Sequence, residues 1–160
     1  GSLTLQQLNF RQIVKEQQGI LLDHLLPNLT QEERIDICRQ HFSCDLYCCS
    51  SNALTEQGQL LNIDGTGNRV SAMIFGPKKV VIVIGVNKIV EDLDAAYWRL
   101  KNIVAPQNCK RLQRNTPCVK KGHCVDCKSI EKICRVSVVL EEKPLTTDIK
   151  IILVNENLGY

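Results

Sequence analysis

The sequence predicts an α/β fold with a mostly parallel central sheet flanked by helices. Residues 80–86 are apolar at nearly every position, which is typical of a strand buried on both faces. An amphipathic helix is predicted by apolar residues that recur at helical spacing: Leu93, Ala96, Tyr97, Leu100, Ile103 and Val104. Segments with strand and helix patterns alternate along the chain, and this alternation favours a parallel sheet covered by helices.

The composition indicates a globular protein. The length of 160 residues predicts a single domain over residues 1–160 with one substantial core. The net charge of +3 is weak and dispersed, and only 4% of the residues are aromatic, so we expect no nucleic-acid partner. No run approaches the roughly 18 apolar residues of a membrane span, so we expect no membrane partner either.

The N-terminus and the cysteine content predict a cytoplasmic location. The opening segment Gly-Ser-Leu-Thr-Leu-Gln-Gln lacks the charged and apolar regions of a signal peptide. The nine cysteines are an odd number. In a reducing compartment we therefore expect thiols or metal-bound thiolates rather than a disulfide framework.

Helices are predicted ahead of the first strand. Residues 3–26 predict one or two helices, which Pro27 ends. Thr30 and Glu33 have the spacing of a capping box, so a further helix begins there. The buried stripe of that helix is expected at Ile35, Cys38 and Phe42.

Strands and helices then alternate to the end of the chain. Strands are predicted at residues 45–50, 59–63, 80–86, 136–140 and 149–154. Helices are predicted at residues 70–75 and 89–104, and Pro106 is expected to end the second of them. The turn-like segment 52–58 permits a hairpin between the first two strands. A long cysteine-rich loop is expected from about residue 108 to 134.

Four cysteines in this loop, Cys118, Cys124, Cys127 and Cys134, have the most definite chemistry in the sequence. Cys124 and Cys127 form a Cys-x2-Cys pair, whose two sulfurs can turn to one zinc ion or iron–sulfur cluster. The spacing to the other two cysteines is irregular for a zinc ribbon and for a ferredoxin. A metal site and a loop of reduced thiols that pack as small apolar groups are both open interpretations.

A glycine-containing loop follows the strand predicted at residues 59–63. It consists of Asp64, Gly65, Thr66, Gly67, Asn68 and Arg69. Glycines allow backbone amides to approach an anion, and an arginine can bind a carboxylate or phosphate with two parallel hydrogen bonds. The loop matches neither a Walker motif nor a dinucleotide fingerprint. A tight turn with Asn68 capping a helix is the alternative.

The topology expected around this loop favours a ligand site. If strand 59–63, helix 69–75 and strand 80–86 form a right-handed crossover, the two strands are parallel and end at the same edge of the sheet. Asn87 and Lys88 then lie beside the loop, where open α/β sheets bind ligands. The segment 52–58 is expected at the opposite edge. The alternative for Lys88 is a solvated residue in front of a helix.

Several segments together resemble the LUD-domain family of lactate-utilisation-type proteins. The resemblance covers nearly the whole chain and rests on residues 50–70, Phe-Gly-Pro-Lys-Lys-Val, Gly-Val-Asn-Lys-Ile-Val, Ala-Pro-Gln-Asn-Cys-Lys-Arg-Leu, Thr-Pro-Cys, Cys-Val-Asp-Cys and Val-Asn-Glu-Asn-Leu-Gly-Tyr. It implies a Rossmann-like fold related to the sugar-phosphate isomerase and CoA-transferase superfamily. Relative to such proteins, this chain is expected to lack an N-terminal portion, and Cys109 stands where a small residue such as alanine is expected.

The resemblance also sets the expected function. Some family members serve the oxidation of lactate to pyruvate alongside iron–sulfur partners. We therefore expect binding of a small anionic metabolite, with an iron–sulfur redox partner protein and a homo-oligomer as further associations. Catalysis stays open, with Asp64 or Glu56 as candidates for a general base. Two alternatives remain: an accessory protein with a cysteine-bound metal or cluster, and an isomerase or transferase acting on a phosphorylated or CoA-linked compound.

Overall fold

A computed structural model of the chain describes residues 2–160 and confirms the α/β class. The helices are α1 Leu3–Gln7, α2 Phe10–Glu16, α3 Gln31–Gln40, α4 Asn68–Ile74, α5 Leu93–Arg99, α6 Ala105–Arg111 and α7 Pro117–Lys121. The strands are β1 Leu46–Cys49, β2 Ala53–Thr55, β3 Leu60–Asp64, β4 Lys79–Gly85, β5 Ile89–Val90, β6 Val136–Leu140 and β7 Asp148–Val154. None of the helices within residues 2–160 combines the length and the apolar character that a membrane span requires.

The described residues form two compact units. The first unit comprises residues 2–50, 71–86 and 143–159. Its sheet has the order β1-β4-β7 and is parallel throughout, as predicted from the apolar run at residues 80–86. Strand β4 lies at the centre of this sheet, and its side chains Val80, Ile82 and Ile84 are fully buried.

The second unit comprises residues 51–70 and 87–142 with Tyr160. Its sheet was not predicted. The strand order is β5-β2-β3-β6, with β2 and β6 both antiparallel to β3 and with β5 parallel to β2. Ala53 and Leu61 of this sheet pack with Ala96 and Leu100, so these two residues of the predicted apolar face are buried, whereas Tyr97 of that face is 39% exposed.

The N-terminal predictions are partly wrong. Helix α2 ends at Glu16, and the leucines at positions 21–26 lie outside any helix. Asn9 and Gln18 have positive φ, which interrupts helical geometry before and after α2. The capping box is confirmed, since the Glu33 amide donates to Thr30 Oγ1 at 3.2 Å and the Thr30 amide donates to Glu33. The predicted buried stripe of α3 is wrong, because Ile35 is 42% exposed.

The helix predicted at residues 89–104 has different ends. Ile89 and Val90 form strand β5, and Asp92 caps α5 by accepting from the Ala95 amide at 2.8 Å. Residues 100–104 form a π-helical turn that leads directly into α6, so the helical path continues past Pro106 to Arg111. A wider π turn changes the hydrogen-bond register, which lets the missing N–H of Pro106 be tolerated at the start of α6.

The predicted crossover is also wrong. Strands β3 and β4 belong to different sheets, because both edges of β3 are taken by antiparallel partners. The hairpin does not join the strand predicted at residues 45–50 to β3. Instead β2, formed within the segment predicted as a turn, pairs with β3 through the tight turn at residues 56–58. This hairpin brings Asn52 to the same end of β3 as the glycine loop.

Gly76 gives a stability prediction for the first unit. Its φ is +117°, and a Cβ at this position would lie 2.6 Å from the carbonyl oxygen of Phe42. Replacing Gly76 by alanine is therefore expected to lower the free energy of unfolding by about 2 kcal/mol or more, through backbone strain and the contact with backbone atoms. Urea denaturation measures the loss. Gly58→Ala is the control: it has a similar backbone strain but open space around its Cβ, so an equal loss in both variants would contradict the steric argument.

Candidate functional site

The glycine loop lies between β3 and α4 in the second unit, as predicted. Gly67 has a φ of +89°, a conformation that glycine adopts without strain. A Cβ on Gly65 would lie 3.3 Å from the carbonyl oxygen of Ile133, so the loop also runs close to neighbouring backbone. Both glycines are therefore explained by the path of the chain, and the segment's approach to an anion remains a prediction.

The Arg69 guanidinium is held by acceptors of the protein itself. Its Nε and Nη2 donate to Asp64 Oδ1 at 3.0 and 2.7 Å, and Nη1 donates to Asn62 Oδ1 at 2.6 Å. Nη2 also donates to Asn52 Oδ1 and to the Ile63 carbonyl, both at 3.0 Å. An arginine bound in this way fixes the positions of its neighbours. Its geometry therefore supports a framework role more directly than a role as the main anion-binding group.

Asp64 completes the same framework. While Oδ1 accepts from Arg69, Oδ2 accepts from the Val70 amide at 3.0 Å in the first turn of α4. The carboxylate is buried and paired with a partly exposed guanidinium. Both oxygens thus join the end of β3 to the start of α4, and these contacts support a structural role for Asp64.

Asn52 and Asn62 extend the framework beneath Arg69. Asn62 is fully buried in β3, and its Oδ1 accepts from the Asn52 amide at 3.2 Å as well as from Arg69. Because a backbone amide and a guanidinium can only donate, these bonds fix which atom of the Asn62 amide is oxygen. Asn52 Oδ1 in turn accepts from the Ile63 amide at 2.8 Å.

Two further cations lie near this framework. Lys88, in a 3-10 turn after β4, is 4% exposed, which is contrary to the alternative of a solvated lysine. Arg99 on α5 is also buried, and its Nε donates to the Asn52 carbonyl at 3.2 Å. Burial lowers the pKa of Lys88 to about 8, with further lowering by the charges of Arg99 and Arg69. Arg99 and Arg69 therefore both lie close enough to repel the charge of Lys88.

Two buried donors in this region lack partners. Arg99 Nη2 and Asn62 Nδ2 are both buried without a hydrogen-bond partner within residues 2–160. Both side chains are bonded to Asn52, so the two donors belong to one local cluster. A buried polar group without a partner costs about 1–3 kcal/mol, and more when it is charged. A ligand with acceptor oxygens would remove that cost.

Sequence reasoning missed Asn52, Asn62 and Arg99. Asn52 was placed at the wrong edge because the hairpin was assigned to the wrong strand, and Asn62 looked like an ordinary polar residue of a strand. A signal for Arg99 was present: it follows Ala96 by three residues and precedes Leu100, which puts it on the buried face of the helix. Among the predicted residues, Thr66 is exposed and Asn87 is half-buried.

The loop cysteines fall into two groups. Cys109 and Cys118 are both buried, and Thr116 Oγ1 lies 3.2 Å from Cys118 Sγ. Burial raises the pKa of Cys134, and the charges of the nearby Cys124 and Cys127 raise it further. The thiol of Cys118 thus forms a hydrogen bond with Thr116, which is not one of the four cysteines predicted to bind a metal. A metal bound by Cys118, Cys124, Cys127 and Cys134 stays a prediction.

A different set of metal-ligand types gathers in the first unit. His24, Cys38 and His41 offer ligand atoms that all lie within 4.8 Å of one another. Within residues 2–160 this is the group of three or more such side chains that the structure brings together. The arrangement can hold a metal ion, and it does not involve the cysteines that the sequence singled out.

Comparison with known proteins finds a match to one protein family. A model of the LUD domain matches residues 1–154 of the 160-residue chain. Searches of curated proteins and of solved structures return no significant match. The matched range includes the glycine loop, Lys88, Arg99 and the cysteine loop, so every residue of the candidate site lies inside it.

Proposed function

We propose, from the premise that the chain belongs to the LUD domain family, that its second unit binds a small carboxylate metabolite and serves organic-acid oxidation of the lactate type. One observation carries the proposal: Arg99 Nη2 and Asn62 Nδ2 are buried donors without a partner within residues 2–160. A carboxylate presents acceptor oxygens to both donors. It also places a negative charge where positive side chains repel one another.

The electrostatics favour an anion over a neutral ligand. The pKa of Lys88 is lowered to about 8 by burial and by the charges of Arg99 and Arg69. An anion bound beside these groups offsets the repulsion and raises the pKa of Lys88 again. Because the lysine is buried, solvent screens this interaction less than it would at the surface.

Each predicted residue has a place in the proposal. Arg99 and Lys88 supply charge, and Asn62 donates a hydrogen bond to the ligand. Arg69 and Asp64 hold Asn62 and Asn52 in position, which is the role that their own contacts support. The loop residues Gly65, Thr66, Gly67 and Asn68, together with Asn87, line the approach to the ligand.

A second role, as an accessory protein that docks an iron–sulfur partner, is favoured by one feature of the cysteine loop. Cys124, Cys127 and Cys134 are partly exposed, whereas Cys109 and Cys118 are buried. Lys101 forms an ion pair with Asp126 inside the Cys-x2-Cys segment at 2.9 Å, and the Cys124 amide donates to the Lys101 carbonyl. These contacts attach the segment to the helical region while its thiols stay accessible to a partner.

Ligand binding by the purified chain tests the main proposal. Titration calorimetry with lactate, pyruvate and neutral lactamide is expected to show heat for the acids and none for the amide. Asn62→Asp places a carboxylate where the amide donor stands, so it is expected to weaken binding of the acids more than tenfold, which is about 1.4 kcal/mol. Arg99→Met is expected to weaken binding as strongly.

Lys110→Met is the matched control. Lys110 is an exposed lysine in the same unit, so its loss is expected to leave the affinity for the acids unchanged. Equal binding of lactate and lactamide would contradict a site for anions. Full affinity in both Asn62→Asp and Arg99→Met would contradict its location.

A further inference from the structure

The first unit contains a cavity that the proposed function does not use. Its volume is about 750 Å³, and it is lined by residues of the N-terminal helices, the segment 19–25 and the region 41–48. This volume is in the range of small-molecule sites. His24 and His41 both lie in its wall. These groups belong to the first unit, whereas the proposed anion site belongs to the second.

Three potential metal ligands converge at this wall. The ligand atoms of His24, Cys38 and His41 lie within 4.8 Å of one another. Cys38 and His41 are three residues apart at the end of α3 and the start of the next turn, so the helical path brings them to one side. The His24 ring meets the His41 ring edge-on, with centroids 5.5 Å apart.

The hydrogen bonding of His41 leaves its other ring nitrogen able to act as a metal ligand. His41 Nε2 lies 3.0 Å from the Leu22 carbonyl oxygen, which can only accept, so Nε2 carries the proton. His41 Nδ1 therefore has a lone pair, and it is buried without a hydrogen-bond partner within residues 2–160. Metal-binding histidines commonly donate their second N–H to a backbone carbonyl in this manner.

The segment that carries His24 is held against α3. Arg34 donates from Nη1 to the His24 carbonyl at 2.7 Å and from Nε to the Leu29 carbonyl at 3.2 Å. Because one arginine bridges the segment and the helix, His24 is fixed relative to Cys38 before any ion binds.

We propose that His24, Cys38 and His41 bind a zinc ion at the wall of this cavity, with a fourth coordination position open to water or a small ligand. Two imidazoles and a thiolate form a nitrogen and sulfur donor set that suits zinc and excludes magnesium or calcium. Three protein ligands with one open position are typical of reactive rather than purely structural zinc sites. Cavity-lining His24 and His41 place the ion where a small molecule can reach it.

Cobalt(II) titration of the reduced, metal-stripped full-length chain tests the site. One equivalent is expected to bind at this cluster with a thiolate-to-cobalt charge-transfer band, and zinc is expected to displace it. Cys38→Ser is expected to remove that equivalent and its band, and His24→Gln to weaken binding more than tenfold. Imidazole nitrogen signals of His24 and His41 are expected to shift on zinc addition, and this readout does not depend on activity.

Two control variants separate this cluster from other thiols. Cys44→Ser changes a thiol that lines the cavity but lies outside the group of three, and Cys127→Ser changes the loop in the second unit. Both are expected to retain the cobalt equivalent of the first unit. Unchanged cobalt binding and unchanged imidazole signals in Cys38→Ser would overturn the proposal. Because Cys38 is only partly buried, that variant tests the site even if changes at buried His41 prevent folding.

Discussion

Replacing Arg69 by lysine is expected to lower the free energy of unfolding by about 3 kcal/mol, because the ammonium keeps the charge beside Asp64 but leaves buried acceptors without donors at about 1–3 kcal/mol each. The side chain of Arg69 is 21% exposed and that of Asp64 is 8% exposed. A lysine ammonium cannot reproduce the planar set of donors that reaches Asp64, Asn62 and Asn52 together. Buried acceptors then lose their donors, and that loss sets the size of the effect.

Urea denaturation followed by circular dichroism measures this change. Arg111→Lys is the matched control, because Arg111 also donates Nε and Nη2 to one side-chain oxygen, that of Asn108, but at the surface. That substitution is expected to change stability by no more than about 0.5 kcal/mol. Similar losses of free energy of unfolding in the two variants would show that the hydrogen bonds of Arg69 stabilise the fold no more than an exposed contact does.

The same framework shows what the sequence could predict about the site. The glycines, Arg69 and the Asn-Lys pair at residues 87 and 88 are recognisable because loops at strand ends commonly bind ligands. The reason given for bringing them together was nevertheless wrong, since β3 and β4 are in different sheets. Arg69 still lies near enough to Lys88 to lower its pKa. The residue types were therefore predicted from local pattern, and their arrangement was not.

The missed residues depend on tertiary pairing. Asn62 is fully buried in β3, an inner strand of its sheet, and no local pattern distinguishes it from a polar residue on a solvated face. Asn52 joins the site because a three-residue strand forms inside a segment rich in turn residues. For strands this short, packing against neighbouring residues has a larger effect than the intrinsic strand preference of the sequence. These pairings therefore depend on the tertiary structure of the whole second unit.

The first unit gives a similar contrast. An uninterrupted apolar run predicts the central strand β4 because a strand that is buried on both faces needs apolar residues at consecutive positions. The His24–Cys38–His41 cluster leaves only a Cys-x2-His spacing and a distant histidine, and the segment around His24 was predicted as helix. A metal site built from separate segments is hard to predict for this reason, whereas the close spacing of the loop cysteines is recognisable from the sequence alone.

Stability is expected to rise with pH between about 8 and 10.5 through Lys88. The pKa of Lys88 falls from 10.5 in the unfolded chain to about 8 in the folded one. Over that range the unfolded chain binds more protons at this side chain than the folded chain does, so stability increases by up to about 1.4 kcal/mol per pH unit and about 3 kcal/mol in total. Below pH 8 the charged, buried lysine reduces stability.

The difference between wild type and Lys88→Met isolates this contribution. Other groups titrate in the same range: burial raises the pKa of Cys48 to about 11, so ionisation of that thiol in the unfolded chain lowers stability above about pH 9. Both proteins contain this thiol, so its effect cancels. Denaturation at intervals from pH 7 to 10.5 is expected to give a difference in the free energy of unfolding between the two proteins that grows with pH.

A bound carboxylate is expected to move this pH dependence. An anion next to Lys88 favours the charged lysine. Saturating lactate should therefore move the pH at which stability begins to rise to a value above 8, and lactate binding near pH 8 should take up a proton. Calorimetry in two buffers of different ionisation enthalpy measures the proton uptake directly. Affinity should then fall as the pH rises above 8. An affinity independent of pH from 7 to 10 would place the ligand away from Lys88, even if the lysine itself titrates as expected.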